Sequence, residues 1–485
     1  MSSSGASDRR GPAVRALLEL EDACPDELFE TLPGATVPLW AIVRMRFAWA
    51  LSEAQTGSVD VTSDNWSRRA EARRLVKAYL PNRWDAARRA RPHEVLFYVG
   101  GGTLAASDGR ARNWLIHDFA EAADDALVVQ RLPLPAPLGP PEYRPTLSME
   151  AGIARSRLRS RGQRPSDELV RAADRLLGRF ATHLRVPESK VAAIRTRVLR
   201  TEVARPHEQD ELRRMLERVR PRVVVMDTAA YTYNGETVGL FKDFGAYVAE
   251  PQHGWIGPSH AAYNYGRAFQ DERLRRALPD EVLTFGRRWS DSISFPGVAT
   301  AIGKPHLERL AANAGRERRR QVLVVSSRAR PEATDEFVTR LRRELDEGWT
   351  VVFRPHPAER DAAAARYPLI ASAEGISFDT EPDVYASLAR ARVVVGVAST
   401  VLFEAAAFGC AVIARDDEFA ERVIGDSFGE RVQSAEAAAL RIRALDADSA
   451  AQPEADPALW SQGATKRFSA WLDGRLRADQ EGVIG

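Results

Sequence analysis

The sequence predicts an α/β protein made of two successive Rossmann-like domains, and three observations carry that reading. Short runs of branched and aromatic residues recur after residue 90, such as EVLFYVGGG (94–102) and RVVVGVAST (392–400). They read as buried parallel strands. Helix-like segments alternate with them, which is the pattern of βα units. The alternation runs through twice, with a division near residue 275, and 485 residues exceed what one hydrophobic core usually supports.

Residues 1–90 are expected to be a polar start followed by a helical extension. MSSSGASDRRGPAVR lacks the apolar core of a signal peptide, and PLWAIVRMRFAWALSEA and NWSRRAEARRLVKAYL read as helices. Residues 66–91 interleave Trp66, Tyr79 and Trp84 with many arginines. Such a stretch either docks on an anionic membrane surface or coats a helix packed on its own domain. No run approaches about 20 uninterrupted apolar residues. A cytoplasmic protein is expected, with peripheral contact at the inner face of the membrane as the added option.

The first α/β domain is expected over 91–275. Its strands are EVLFYV, DALVVQRLPLP (125–135), PRVVVMD (221–227) and GAYVAEPQHG (245–254), with helices such as NWLIHDFAEAAD between them. The second is expected over 276–435, with strands at EVLTFG (281–286), ATAIG (299–303), QVLVVSSR (321–328), TVVFRPHP (350–357), RVVVGVAST and CAVIAR (410–415). Residues 436–485 read as a helical tail that packs back across the domains.

Charge and cysteine content exclude several classes. The formal charge of +2, from 69 basic and 67 acidic residues, gives no case for nucleic acid as the main partner. Two cysteines, Cys24 and Cys410, make neither a disulfide framework nor a zinc site. No DxD-like pair stands in a strand–turn setting, so no metal and no other cofactor is expected.

Chemistry concentrates at strand ends, where open α/β sheets bind ligands. In FRPHPAER (353–360) a strand stops at Arg354, Pro355, His356 and Pro357, placing a guanidinium and an imidazole that suit phosphate oxygens. In VVVGVASTVLFEAAAFG a strand meets a small-residue turn at Ser399 and Thr400, where a helix begins. Hydroxyls and backbone N–H groups there form an anion site, and Glu404, one turn in, can accept from ribose hydroxyls. The bland reading of the same residues is an N-cap and a helpful first-turn acid. Ser327 and Arg328 follow another strand and can line the same pocket. The glycine run containing Gly101 and Gly102 permits close approach of a ligand on the acceptor side. Two of the eight histidines, His253 and His260, fall in the turn-rich EPQHGWIGPSH (250–260). His253 is the candidate general base, with Asp227, at the end of RVVVMD, the alternative.

The order of QHG (252–254), FG…W (285–289), AIGKPHLERL (301–310), RPHP (354–357) and ASTVLFEAAAFGCAVI (398–413) resembles bacterial surface-carbohydrate transferases of the GT-B fold. These are the capsule polysaccharide, sialyl- and Kdo-transferase-like enzymes and the CDP-glycerol glycerophosphotransferases of teichoic acid synthesis. The resemblance covers roughly residues 220 to 415. It implies two Rossmann-like domains facing a cleft, with a nucleotide-activated sugar (CMP-, UDP- or GDP-linked) as donor. A glycan or lipid-linked molecule of the cell envelope would be the acceptor. It also implies that His356, Ser399 and Thr400 hold the nucleotide's phosphates and that His253 is the base, with Gln252 beside it. The sequence departs from the glycerophosphotransferase branch at Gln252, where that branch has tryptophan, and at Gly396, where it has aspartate. A glycerol- or ribitol-phosphate transferase, a sugar-nucleotide 2-epimerase and a non-catalytic nucleotide- or glycan-binding scaffold stand as alternatives.

Overall fold

The computed structural model describes residues 10–56, 83–100, 103–105, 109–131, 140–314, 319–327, 330–397, 399–416, 429–447 and 456–480. Trp66, Tyr79, Gly101, Gly102 and Arg328 lie outside the described residues. The chain divides into two compact units. One comprises Met1–Thr284, Ser290–Ile302 and Thr465–Gly485; the other comprises Phe285–Trp289 and Gly303–Ala464.

The first unit holds strands β1 (Val95–Val99), β2 (Thr103–Ala105), β3 (Ala111–Asn113), β4 (Ala126–Gln130), β5 (Thr146–Ser148), β6 (Val223–Met226), β7 (Tyr247–Pro251), β8 (Glu281–Thr284) and β9 (Val298–Ala301). β2 and β3 form an antiparallel pair of their own. The others make one parallel sheet in the order β5-β4-β1-β6-β7-β8-β9. Strand order therefore reverses between β1 and β6, which is the topological switch point of a Rossmann-like sheet.

The strand pattern explains the burial. Every residue of β1 is buried, and alternate side chains serve opposite faces. Leu96 and Tyr98 join one core with Leu127, Val129, Val224 and Met226. Val95, Phe97 and Val99 join the other with Val128, Val223 and Val225. Each such fully buried side chain contributes about 1.5–3 kcal/mol.

The second unit holds β10 (Gln321–Val325), β11 (Thr350–Arg354), β12 (Ile376–Phe378), β13 (Val393–Gly396), β14 (Ala411–Arg415) and β15 (Glu430–Val432). All are parallel, in the order β12-β11-β10-β13-β14-β15, with the reversal between β10 and β13. One face packs on the helices Pro331–Glu344 and Ala435–Ala447 through Phe337, Val338, Leu341, Ala438 and Ile442. The protein is thus α/β, with two Rossmann-like units.

The unit boundaries differ from those expected. β8 and β9 complete the first sheet, β8 pairing with β7 from Ala249↔Glu281 to Pro251↔Leu283. An apolar strand does not announce its sheet, and β8 covers an edge of β7 that would otherwise present unpaired backbone groups. The described residues 10–56 are no separate extension either. Glu21 of helix Pro12–Ala23 pairs at 2.5 Å with Arg44 of helix Leu39–Thr56, both fully buried. Trp40 packs edge-on against Phe180 at 5.1 Å. Phe180 lies on helix Asp167–Leu184, whose buried Leu169, Ala173, Leu176, Leu177, Phe180 and Leu184 fall on one helical stripe. Ser166 caps that helix by accepting from the Leu169 N–H at 3.2 Å. The expected tail divides as well. Ala435–Ala447 packs in the second unit, while helix Ala464–Gln480 inserts Phe468, 4.5 Å from Phe119, into the first.

Candidate functional site

Each unit gathers polar side chains at the C-terminal ends of its strands. In the second unit the register sets Val325 of β10 beside Arg354 of β11 and Gly396 of β13. Ser326, Ser327, His356 and Ser399 therefore follow at one edge, around the switch point. Ser327 Oγ is buried and, among the described residues, has no hydrogen-bond partner. Ser399 caps helix Thr400–Ala407 by accepting from the Val401 N–H at 3.2 Å, and half-buried Thr400 opens that helix. Gly396 leaves little room for a side chain. A Cβ there would lie 2.7 Å from Val325 Cγ2 and 3.3 Å from a Leu402 methyl.

The RPHP loop owes its shape to a glutamate outside the motif. Glu359 is buried and accepts from the His356 N–H at 3.1 Å, Ser326 Oγ at 2.8 Å and Tyr367 Oη at 2.9 Å. Pro357 is the first residue of the short 3-10 helix Pro357–Ala362, where a missing N–H costs nothing. Exposed His356 accepts from the Ala358 N–H through Nδ1 at 3.2 Å. With Nδ1 accepting, the proton of the neutral ring lies on Nε2, a donor suited to a phosphate oxygen.

Two expected donor-site residues are committed elsewhere. Arg354 is 7% exposed and pairs with buried Asp379 at 2.5 Å, while also donating to the Glu381 and Pro382 carbonyls. Its charge is paired inside the unit. Glu404 is 4% exposed and pairs with Lys304 at 2.5 Å.

In the first unit, Asp227 follows β6 at the switch point. It accepts from the Gly100 N–H at 3.0 Å and pairs with Arg131, which follows β4, at 3.2 Å. Arg131 also donates to Thr228 Oγ1 at 2.6 Å, and Thr228 is held at φ +55°, a strained value for a β-branched residue. Asp227 is thereby tied between a cation and a loop N–H. Through these contacts it ties together the ends of β1, β4 and β6.

β7 delivers the other cluster. His253 is half-buried, and a Cβ at the neighbouring Gly254 would meet nothing within 4 Å. Space is thus open at Gly254. Behind it stands Glu250, fully buried, with Oε1 3.5 Å from His253 Nδ1. Nδ1 itself is buried and, among the described residues, has no hydrogen bond. Glu250 is fixed by Tyr263 Oη at 2.6 Å and by the Ala230 N–H. Gln252 is 1% exposed, and its side-chain amide donates to the Gly254 carbonyl at 2.9 Å; it shapes the turn instead of facing an acceptor.

His260 has a different task. Its Nδ1 accepts from the Ala262 N–H at 3.2 Å and its Nε2 meets Tyr231 Oη at 3.0 Å. Burial, aided by the charge of His253, lowers its pKa to about 3, so it stays neutral and structural. Glu250 is the residue that motif reasoning overlooked. An acid inside the apolar run AYVAEP, three residues before a histidine, was the available signal. Among the described residues no group of three His, Cys, Asp or Glu side chains is arranged to hold a metal ion, and no helix is long and apolar enough to cross a membrane.

No protein-family model matches the chain, and no curated protein matches it. Among solved structures it is similar to the wall teichoic acid polymerase TagF, at 10% identity and a TM-score of 0.47, over 86% of this chain and 95% of that one. It is also similar to the UDP-GlcNAc 2-epimerase of Methanocaldococcus jannaschii in complex with UDP-GlcNAc and UDP, at 11% identity and 0.45, over 78% and 99%. A third is the calicheamicin glycosyltransferase, at 14% identity and 0.43, over 80% and 98%. These likenesses concern the fold, and the fold class rests on the two parallel sheets themselves.

Proposed function

We propose that the protein is a glycosyltransferase of GT-B type, moving a sugar from a nucleotide-sugar donor to a cell-surface glycan or lipid-linked acceptor. The observation that carries the reading is the half-buried His253 backed by the buried carboxylate of Glu250 and flanked by open space at Gly254. In this reading Glu250 orients the imidazole with its proton on Nδ1, and Nε2 takes the proton of an acceptor hydroxyl. The acceptor oxygen attacks the anomeric carbon as the bond from that carbon to the nucleotide's phosphate oxygen breaks. The departing phosphate gathers negative charge, which suits the Nε2–H of His356, the hydroxyls of Ser327 and Thr400, and the N-terminus of helix Thr400–Ala407.

The test is a thermal-shift panel of CMP, CDP, UDP, GDP and their sugars on the full chain and on His356→Ala. A ligand present at a hundredfold excess over its Kd adds about 2.7 kcal/mol to the folded state. One nucleotide class is expected to raise Tm in the parent and to bind about tenfold more weakly in the variant, the worth of one charge-assisted hydrogen bond. A panel in which no nucleotide shifts Tm would sink the reading.

A further inference from the structure

Helix Leu39–Thr56 packs in the first unit against the long helix Glu188–Val219. Lys190 and Glu53 form an ion pair between them. At the other end of the contact, Arg205 lies 4.0 Å from Glu236, the carboxylate that accepts from the Thr36 and Val37 N–H groups. The two helices therefore run antiparallel. Two turns along each from the Lys190–Glu53 pair bring Arg46 level with Arg197, and Arg200 follows one turn further on the same face.

These three arginines differ from their neighbours. Arg44, Arg131, Arg155 and Arg205 of this unit each hold a carboxylate. Among the described residues, Arg46, Arg197 and Arg200 have neither an ion pair nor a hydrogen bond, although Arg46 and Arg197 are half-buried. Burial, then Arg197, then Arg200 lower the pKa of Arg46 to about 10 against the opposing pull of the Tyr233 hydroxyl. Like charges gathered without a carboxylate make an uncompensated positive field, which an anion relieves.

An aromatic row leads from this cluster to the candidate base. Trp49, one turn beyond Arg46, lies 6.1 Å from Tyr233; Tyr233 lies 6.0 Å from Tyr231, and Tyr231 lies 5.6 Å from His253. All four rings are partly exposed. Amphipathic rings of this kind offer apolar faces to a sugar while their polar edges stay hydrated.

We propose that Arg46, Arg197 and Arg200 bind a phosphate or diphosphate carried by the acceptor, whose sugar lies along Trp49, Tyr233 and Tyr231 toward His253. The acceptor class is thus an anionic, phosphate-bearing glycan. The direction toward His253 rests on the glycosyl-transfer reading; the anion site does not.

The probe is inorganic pyrophosphate, titrated calorimetrically into the full chain at low and high salt. Affinity is expected to fall as salt rises, and to drop about tenfold or more in Arg197→Ala/Arg200→Ala, where Arg200 is exposed, Arg197 is half-buried and folding is checked by Tm. The double lysine variant should recover part of the loss, because charge returns without the planar fork. His356→Ala should leave the arginine-dependent component intact. Sedimentation with phosphatidylcholine vesicles, with and without phosphatidic acid, separates the sources. Arginine-dependent capture by the anionic vesicles assigns a lipid-borne phosphate, and pyrophosphate binding without capture assigns a soluble one; either supports the site. Equal pyrophosphate affinity in the parent, the double alanine variant and Arg46→Gln overturns it. In that event a positive nucleotide panel leaves glycosyl transfer standing, whereas arginine-dependent binding beside a negative panel leaves the anion site standing alone.

Discussion

Replacing Glu250 by glutamine tests the base without emptying its site. Glutamine keeps the shape of the buried side chain and removes its charge. If the amide oxygen stays where the Ala230 N–H donates, the amide nitrogen takes the place of Oε1, facing Tyr263 Oη and His253 Nδ1. The tyrosine hydroxyl can turn and accept, so the stability cost is roughly 1–2 kcal/mol, the difference between a charged and a neutral bond. The functional cost is larger. An amide donating toward Nδ1 selects the tautomer protonated on Nε2, the nitrogen that must accept the proton. The imidazolium formed in the reaction also loses a carboxylate 3.5 Å away, an attraction worth at most about 5 kcal/mol at an effective dielectric constant near 20. Because His253 is partly solvated, a loss of roughly 10²- to 10⁴-fold in kcat is expected, with donor affinity unchanged. His253→Ala should fall at least as far. The assay is nucleotide release at saturating donor, with urea unfolding run in parallel. If Glu250→Gln turned over normally while His253→Ala was inactive, the carboxylate would have no part in the base. Normal turnover in His253→Ala would remove the histidine from the mechanism altogether.

Two further outcomes are expected. Arg354→Ala should leave Asp379 buried without its cation and cost about 3–5 kcal/mol in urea unfolding; a variant of parental stability that merely bound nucleotide less well would restore Arg354 to the phosphate site. Stability should also decline as pH falls below 6.5. His260 is lowered to about 3 by burial with the charge of His253, and His117 to about 4 by burial with Arg112. Between those values and 6.5 the unfolded chain binds more protons than the folded one, so each histidine removes up to about 1.4 kcal/mol per pH unit through that window. Urea midpoints at pH 7, 6 and 5 measure the slope, which His260→Gln should reduce; equal midpoints from pH 7 to 5 would contradict the assignment.

The strands at 95–99, 223–226, 321–325 and 393–396 were legible because their signal is local: continuous branched runs, closed by glycine, proline or a hydroxyl. The same local signal marked the RPHP turn, the Ser399–Thr400 helix start and the glycine-flanked His253. What each polar side chain does was decided over long separations. Arg354 reads as a phosphate ligand until the fold sets Asp379 against it, 25 residues away, and Glu404 reads as a ribose acceptor until Lys304 arrives from 100 residues away. Asp227 reads as a base until Arg131 and the Gly100 N–H close on it. Sheet membership of β8 and β9 belongs to the same class, since an apolar strand carries its own periodicity but not the identity of the edge it will pair with. Periodicity and turn chemistry are properties of neighbouring residues and survive in a one-dimensional reading. Charge compensation and strand pairing are properties of distance in space, and only the folded chain brings those partners together.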